Sequence, residues 1–267
     1  MRKTTYLDEC LQNGLVIRWP IGIMPIKVYI APCRWYASQG SDNYTYKAMA
    51  KQAFDDWAQA SGGLVFFQFV PTLYDSQINL DWQRVERKSL GNCKFSYDSK
   101  KRLFSAEISI GLTDGILHSD YQSKNEVYHT LLHEVGHSLG LGHSPFKEDI
   151  MYVPHQYGVS KLSATDKKTI QWLYKTPSSM SAKDAIRKLC NEPFSSLDEM
   201  VMYMEGHYQK PQKAQSHDHQ GFSSRDLVKE QELIADMNLY NIMMQQIQIA
   251  PHLKSYIQTQ KTEQDEE

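Results

Sequence analysis

The chain has 267 residues, with 29 Lys and Arg against 31 Asp and Glu and a formal net charge of −2. That balance gives no electrostatic case for nucleic acid or for an anionic membrane surface as a partner. The length holds one sizeable core plus an appendage, and no apolar run approaches the length that spans a bilayer.

In chain order, Gly14-Leu15-Val16-Ile17 and Ile21-Gly22-Ile23-Met24 are split by Arg18 and Pro20. They make a poor leader core, so no signal peptide is read and a strand or buried N-terminal segment is expected. Four cysteines without a leader point to free thiols, and to the cytoplasm or a leaderless export route. Residues 26–30 alternate in part and read as a strand. Tyr46, Ala50, Ala53, Phe54 and Trp57 share one helical face, and Gly62-Gly63 ends that helix. Residues 64–70 are aromatic and β-branched and read as a second strand. Residues 78–82 and 106–110 are the third and fourth. The bland reading of each apolar stripe is core packing, and it is the one adopted.

A helix follows from about Ser123, with Val127, Leu131, Val135 and Leu139 as its apolar stripe. It carries His133-Glu134-Val135-Gly136-His137-Ser138-Leu139-Gly140-Leu141-Gly142-His143. Residues four apart lie on one helical face, so His133 and His137 point the same way. Gly140 can leave the helix with a positive φ, letting the chain turn back and bring His143 to the same point. Two helical imidazoles and one from the following turn form a tripod with a fourth position open, the pattern of a catalytic zinc. Glu134 sits beside such an ion and not on it. The five-residue H-E-x-x-H also occurs in ordinary helices; the added Gly140 and His143 favour the metal reading.

This run resembles the metzincin zinc signature H-E-x-x-H-x-x-G-x-x-H. Asp149-Ile150-Met151-Tyr152 is similar to that family's methionine turn, with Met151 as its methionine. Ser144 after the third histidine resembles the matrixin branch; astacins, serralysins and reprolysins typically carry other residues there. Residues 162–166 and 170–174 resemble the matrixin closing helix. The resemblance is strongest over 126–175, plausible from about residue 24, and absent from the last ninety or so residues. It implies an α+β zincin catalytic domain over 1–177: a twisted mixed sheet, a zinc-binding helix, a Met-turn and a closing helix. It also implies one catalytic zinc on His133, His137 and His143. Residues 106–110 would be the strand along the upper edge of the cleft, open to an extended peptide.

The chain departs from animal matrix metalloproteinases. No cysteine-switch segment is present, since Cys10 and Cys33 lie in other contexts. The loop that carries a second zinc and calcium in those enzymes has no counterpart, so calcium is not indicated; Asp98, Asp114 and Asp120 are scattered. The turn is one residue longer before Pro154. The pattern is closer to the compact matrixin-like peptidases of bacteria.

The ligand set implies a zinc endopeptidase: three neutral imidazoles make a strong Lewis acid, Glu134 is the general base, and Met151 is an apolar floor. No Ser or Cys is cast as a nucleophile. His118, His129 and His155 are read as satisfied or solvated histidines. Ser163 with Asp166 matches a capping box, and Pro177 stops the closing helix. From residue 178 to 267 helical signals dominate: 182–190, 197–207, and 225 to about 249. His217-Asp218-His219 lies in a polar linker around 209–222, and the tail from Lys261 is charged and expected to be disordered. The leading reading of this extension is a helical support packed on the catalytic domain. The sharper readings are an autoinhibitory or substrate-recruiting appendage, with a protein partner for the C-terminal helices. Accordingly, the alternative to a peptidase is a metal-dependent binding or scaffold module acting through that region.

Overall fold

Asn13-Gly14 sets the first hairpin of the fold. The computed structural model describes residues 3–33, 40–84, 90–112, 123–190 and 192–207, without the side chains of 40–45 and Arg84. Expectations for the linker at 209–222, the His217-Asp218-His219 pair, the helix at 225–249, the tail, His118, Asp114 and Asp120 lie outside these residues. Asn13 and Gly14 both take positive φ, 52° and 74°, as a two-residue turn matched to strand twist requires. They join β1 (Leu11–Gln12) to β2 (Leu15–Val16). The hairpin lies against the segment before residue 182, where Val16 N donates to Met180 O and Ser179 N to Val16 O.

The main sheet has five strands: β3 (Ile26–Ile30), β4 (Phe67–Phe69), β5 (Ile78–Arg84), β6 (Gly91–Tyr97) and β7 (Leu103–Leu112). Their order is β4-β3-β5-β7-β6. The β3–β4, β3–β5 and β5–β7 pairs are parallel, and β6–β7 is antiparallel. Ile26, Val28 and Ile30 alternate inward along β3. The second strand is shorter than expected. Val65 turns fully inward and its N–H donates to Ser61 Oγ at 3.0 Å, so that backbone is engaged in a local loop and does not join the ladder.

Two corrections concern the strands. β6 was not among the expected ones. Its inward side carries Gly91, Cys93, Phe95 and Tyr97, all only half-buried, and its outward side Asn92, Lys94 and Ser96. One glycine and one thiol make a weak apolar period. β6 is also one edge of the sheet, with β4 at the other. Residues 106–110, expected along the cleft edge, lie inside β7, with β5 on one side and β6 on the other.

Helices α1 (Gly40–Ala60) and α2 (Lys124–Ser138) pack on each other, and α2 crosses β6 and β7. Ala50, Ala53, Phe54 and Trp57 of α1 are buried, as are Val127, Leu131 and Val135 of α2 with Leu139 at its end. Phe54 meets Phe67 edge-on at 4.9 Å between ring centroids. Two buried indoles find backbone partners: Trp57 Nε1 donates to Leu132 O at 2.8 Å and Trp19 Nε1 to Ser138 O at 2.7 Å. Gly62 and Gly63, both at positive φ, terminate the α1 segment. α3 (Ala164–Lys175) packs on α1 and carries the full Ser163–Asp166 capping box. The architecture is α+β: a five-stranded mixed sheet with helices packed against it.

The described residues past 177, through His207, belong to the same compact unit as those before them. α4 (Ala182–Leu189) and α5 (Leu197–Met204) bury Ala185, Ile186, Leu197, Met200 and Val201 in the same core. Helices of eight residues cannot hold a core alone, so their apolar faces are completed by the body beneath. Just past α5, Glu205 accepts from Trp172 Nε1 at 2.9 Å and Lys168 Nζ at 2.5 Å. Partial burial raises its pKa, but these two donors outweigh it and hold the carboxyl below its ordinary range. A depressed carboxylate stabilises above its unfolded pKa and loses that contribution as pH falls through the folded one. Glu205→Ala is expected to cost about 0.5–1 kcal/mol at neutral pH, after allowing for solvent screening. The deficit should close as the pH falls below the ordinary carboxylate range, a comparison that thermal unfolding at two pH values checks. None of the four cysteines forms a disulfide. Among the described residues no helix is long and apolar enough to cross a membrane.

Candidate metal centre

α2 begins at Ser123, whose Oγ accepts from Glu126 N at 3.3 Å. Its apolar stripe is pinned to the core, so the opposite side presents His133 and His137. After Ser138 the helix ends because Gly140 takes φ +97°, and a Cβ there would lie 2.6 Å from Ile17 O. Conformation and space both demand glycine. The reversed chain then delivers His143. His137 Nε2 lies 3.1 Å from His133 Nε2 and 3.1 Å from His143 Nε2.

Backbone carbonyls select the tautomers. His133 Nδ1 is 2.8 Å from Ile150 O, and His137 Nδ1 is 2.9 Å from Leu141 O. A carbonyl only accepts, so each Nδ1 carries the proton and donates it. Burial, then the neighbouring imidazole, pushes the pKa of His133 well down and that of His137 down to about 4. Burial also lowers that of His143. The rings are therefore neutral, and His133 and His137 present bare Nε2 lone pairs to each other at contact distance. Facing lone pairs repel unless a shared cation lies between them. The donor set thus fits a borderline metal ion held by three nitrogens. It is also the cluster of three or more ligating side chains found among the described residues.

Glu134, next to His133 on α2, has 7% of its surface exposed, and burial pushes its carboxyl up to about 8. The start of β6 comes close over it: a Cβ at Gly91 would lie 2.7 Å from Glu134 Oε1 and 2.6 Å from Thr130 Cγ2. Met151 is fully buried, and a Cβ at Gly136 would lie 2.4 Å from its sulfur. The thioether therefore packs directly under the turn of α2 between the two helical histidines. Ser144 N donates to Met151 O at 2.8 Å, tying the residue after His143 to the methionine turn.

Among the described residues, His129 and His155 stay outside the cluster. His129 Nδ1 donates to Val159 O at 2.7 Å, and its ring stacks 6.3 Å from that of His133. His155 Nε2 meets Glu126 Oε2 at 2.5 Å, while Glu126 Oε1 accepts from Gly158 N at 3.0 Å. This half of α2 thereby anchors the loop at 155–159.

Several supporting residues were not singled out from sequence. Asp166 reads there only as a cap. In the fold it is fully buried: Oδ2 accepts from Ser163 N and Ile150 N at 3.0 and 2.9 Å, and Oδ1 from Tyr6 Oη at 2.8 Å. No local pattern signals the Ile150 and Tyr6 contacts. Gly136 and Gly142 did carry a signal, because a glycine within a helical motif often marks a close approach. Asp166→Ala removes the acceptor of three buried or half-buried donors. It is expected to destabilise by about 3 kcal/mol, from a lost cap plus unsatisfied buried groups. Urea unfolding checks this, and a loss under about 1 kcal/mol would contradict the assigned contacts.

Comparison with known proteins agrees with this geometry. The family model described as Matrixin, of peptidase family M10, matches residues 35–175, more than half of the chain. A stretch of 56 residues is 48% identical to a protein of Trichoplusia ni ascovirus 2c described as "Putative matrix metalloproteinase". That stretch covers 21% of this chain and 11% of the viral protein, so the match spans about a tenth of the relative's length. With the histidine tripod, the neighbouring glutamate and the methionine turn all inside the matched residues, the chain belongs to the matrixin family.

Proposed function

We propose that the chain is a zinc-dependent endopeptidase, with His133, His137 and His143 holding the ion and Glu134 acting as general base. The observation that carries this reading is the meeting of three imidazole Nε2 atoms beside a buried carboxyl. A zinc ion bound there supplies Lewis acidity toward a water and toward the scissile carbonyl oxygen.

The chain's own residues supply the rest. A bound dication would favour the ionised carboxylate over the burial that raises it, so Glu134 would take the proton of the attacking water and later return it to the leaving amine. Ile150 O and Leu141 O hold two of the rings in the ligating tautomer. Met151 closes the floor with apolar surface and excludes water from beneath the rings. β6 is an edge strand whose first residue lies over Glu134. An extended polypeptide that adds to this edge by main-chain hydrogen bonds would carry its carbonyls past the carboxyl. That favours a polypeptide substrate over a small amide.

The test uses purified full-length protein and an unfolded protein substrate. Cleavage should appear with zinc, stop on addition of a chelator and return when zinc is restored. Zinc-loaded protein that leaves such a substrate intact would overturn the proposal.

A further inference from the structure

The segment Thr5–Cys10, a strap with Thr5, Tyr6, Leu7 and Cys10 buried, reaches the metal centre at two points. Tyr6 is fully buried and donates from Oη to Asp166 Oδ1 at 2.8 Å. The other oxygen of Asp166 accepts from Ile150 N, and Ile150 O accepts from His133 Nδ1. Three hydrogen bonds, linked through the Asp166 carboxyl and the Ile150 backbone, thus connect Tyr6 to the first of the three imidazoles. The second point lies beside the third imidazole. Cys10 Sγ accepts from Gly142 N at 3.3 Å, and Gly142 directly precedes His143. The strap is itself anchored from behind. Asp198 of α5 accepts from Thr5 Oγ1 and Leu7 N, both at 2.7 Å, and Asp8 accepts from Leu197 N at 2.9 Å. Strap and α5 both lie outside residues 35–175, the stretch that matches the family.

We infer that Tyr6 and Cys10 are positioning residues of the metal centre, holding His133 through Asp166 and Ile150 and His143 through Gly142. Neither side chain touches the ion or a substrate; each fixes the backbone that aims a ring. Partners one step beyond metal ligands commonly tune affinity by about 10- to 100-fold. These two act one step further out, so the lower end applies. The inference rests on the metal-site reading above.

The experiment loads the full chain with Co²⁺ alone and follows its visible absorption and its transfer to a competing chelator. Tyr6→Phe removes one hydroxyl and keeps the ring, and Cys10→Ala removes the sulfur acceptor. Thr5→Val serves as control, since it breaks a buried bond of the same strap that leads away from the metal. Both test variants should release Co²⁺ about 10-fold faster than wild type, with altered visible bands. Thr5→Val should lose stability but keep the wild-type spectrum and release rate. Should Tyr6→Phe not fold, Cys10→Ala carries the test. Test variants matching wild type in both readouts, or matching Thr5→Val, would overturn the inference. Wild type that takes up no Co²⁺ would instead remove the metal-site reading, and this inference with it.

Discussion

Glu134→Gln is expected to lower peptide-bond cleavage by about 10³-fold while the bound zinc stays unchanged. Glutamine has the size and helix propensity of glutamate, so α2 and its buried stripe have no reason to move. Glu134 is not one of the three clustered ligating side chains, and the carbonyl acceptors of His133 and His137 are untouched. The substitution removes the ability to accept a proton, and a positioned general base is commonly worth about 10²–10⁴ in rate. The loss should therefore fall on kcat and leave KM nearly constant if the group acts on the water and not on substrate binding, as proposed. A fluorogenic peptide assay with metal analysis on the same samples reads both. If the variant keeps more than about a tenth of wild-type kcat, Glu134 is not the base.

Gly142→Ala should be the most damaging single-methyl change in the site region. A Cβ at this position would lie 1.9 Å from Glu9 O and 2.6 Å from Glu9 C, with Cys10 N at 3.2 Å. All three neighbours are backbone, so no rotamer change relieves the overlap. Either the strap lifts or the loop carrying His143 withdraws, and both lose the Gly142 N to Cys10 Sγ bond. Overpacking of about 1–3 kcal/mol is usual where side chains can yield. With a rigid backbone on both sides, a loss of about 3 kcal/mol or more is expected. Gly158→Ala is the comparison, because Gly158 has a positive φ of 80° but nothing within 4 Å of the added Cβ. Urea midpoints of the two variants separate the steric cost from the conformational one. Equal losses would mean that the strap does not seat against Gly142.

The centre of the fold was open to reading because its signals are local. Four-residue spacing puts His133 and His137 on one face whatever the helix packs against, and Val127, Leu131 and Val135 choose the buried side by the same period. Ser163 and Asp166 form their cap within four residues. The Asn13-Gly14 turn was equally local, though its hairpin was read only as a strand or buried segment. β6 was hidden because an edge strand has one partner and one exposed side, so its pattern of Gly91, Cys93 and Phe95 is not forced to be strongly apolar. The place of residues 106–110 inside the sheet follows from β6 and could not be known before it.

The sequence by itself determined a helix with two histidines on one face, a third brought back through Gly140, a glutamate next to the first and an α+β body, since each depends on spacing along a few turns of chain. Only the tertiary structure decided what steadies them. Tyr6 meets Asp166 across 160 residues, Cys10 meets Gly142 across 132, and Asp198 holds Leu7 across 191. Such contacts leave no periodic trace, because a buried polar group requires only some partner of the right chemistry and the fold alone selects which. For the same reason α4 and α5, which look like the start of an extension, complete the core that carries the site.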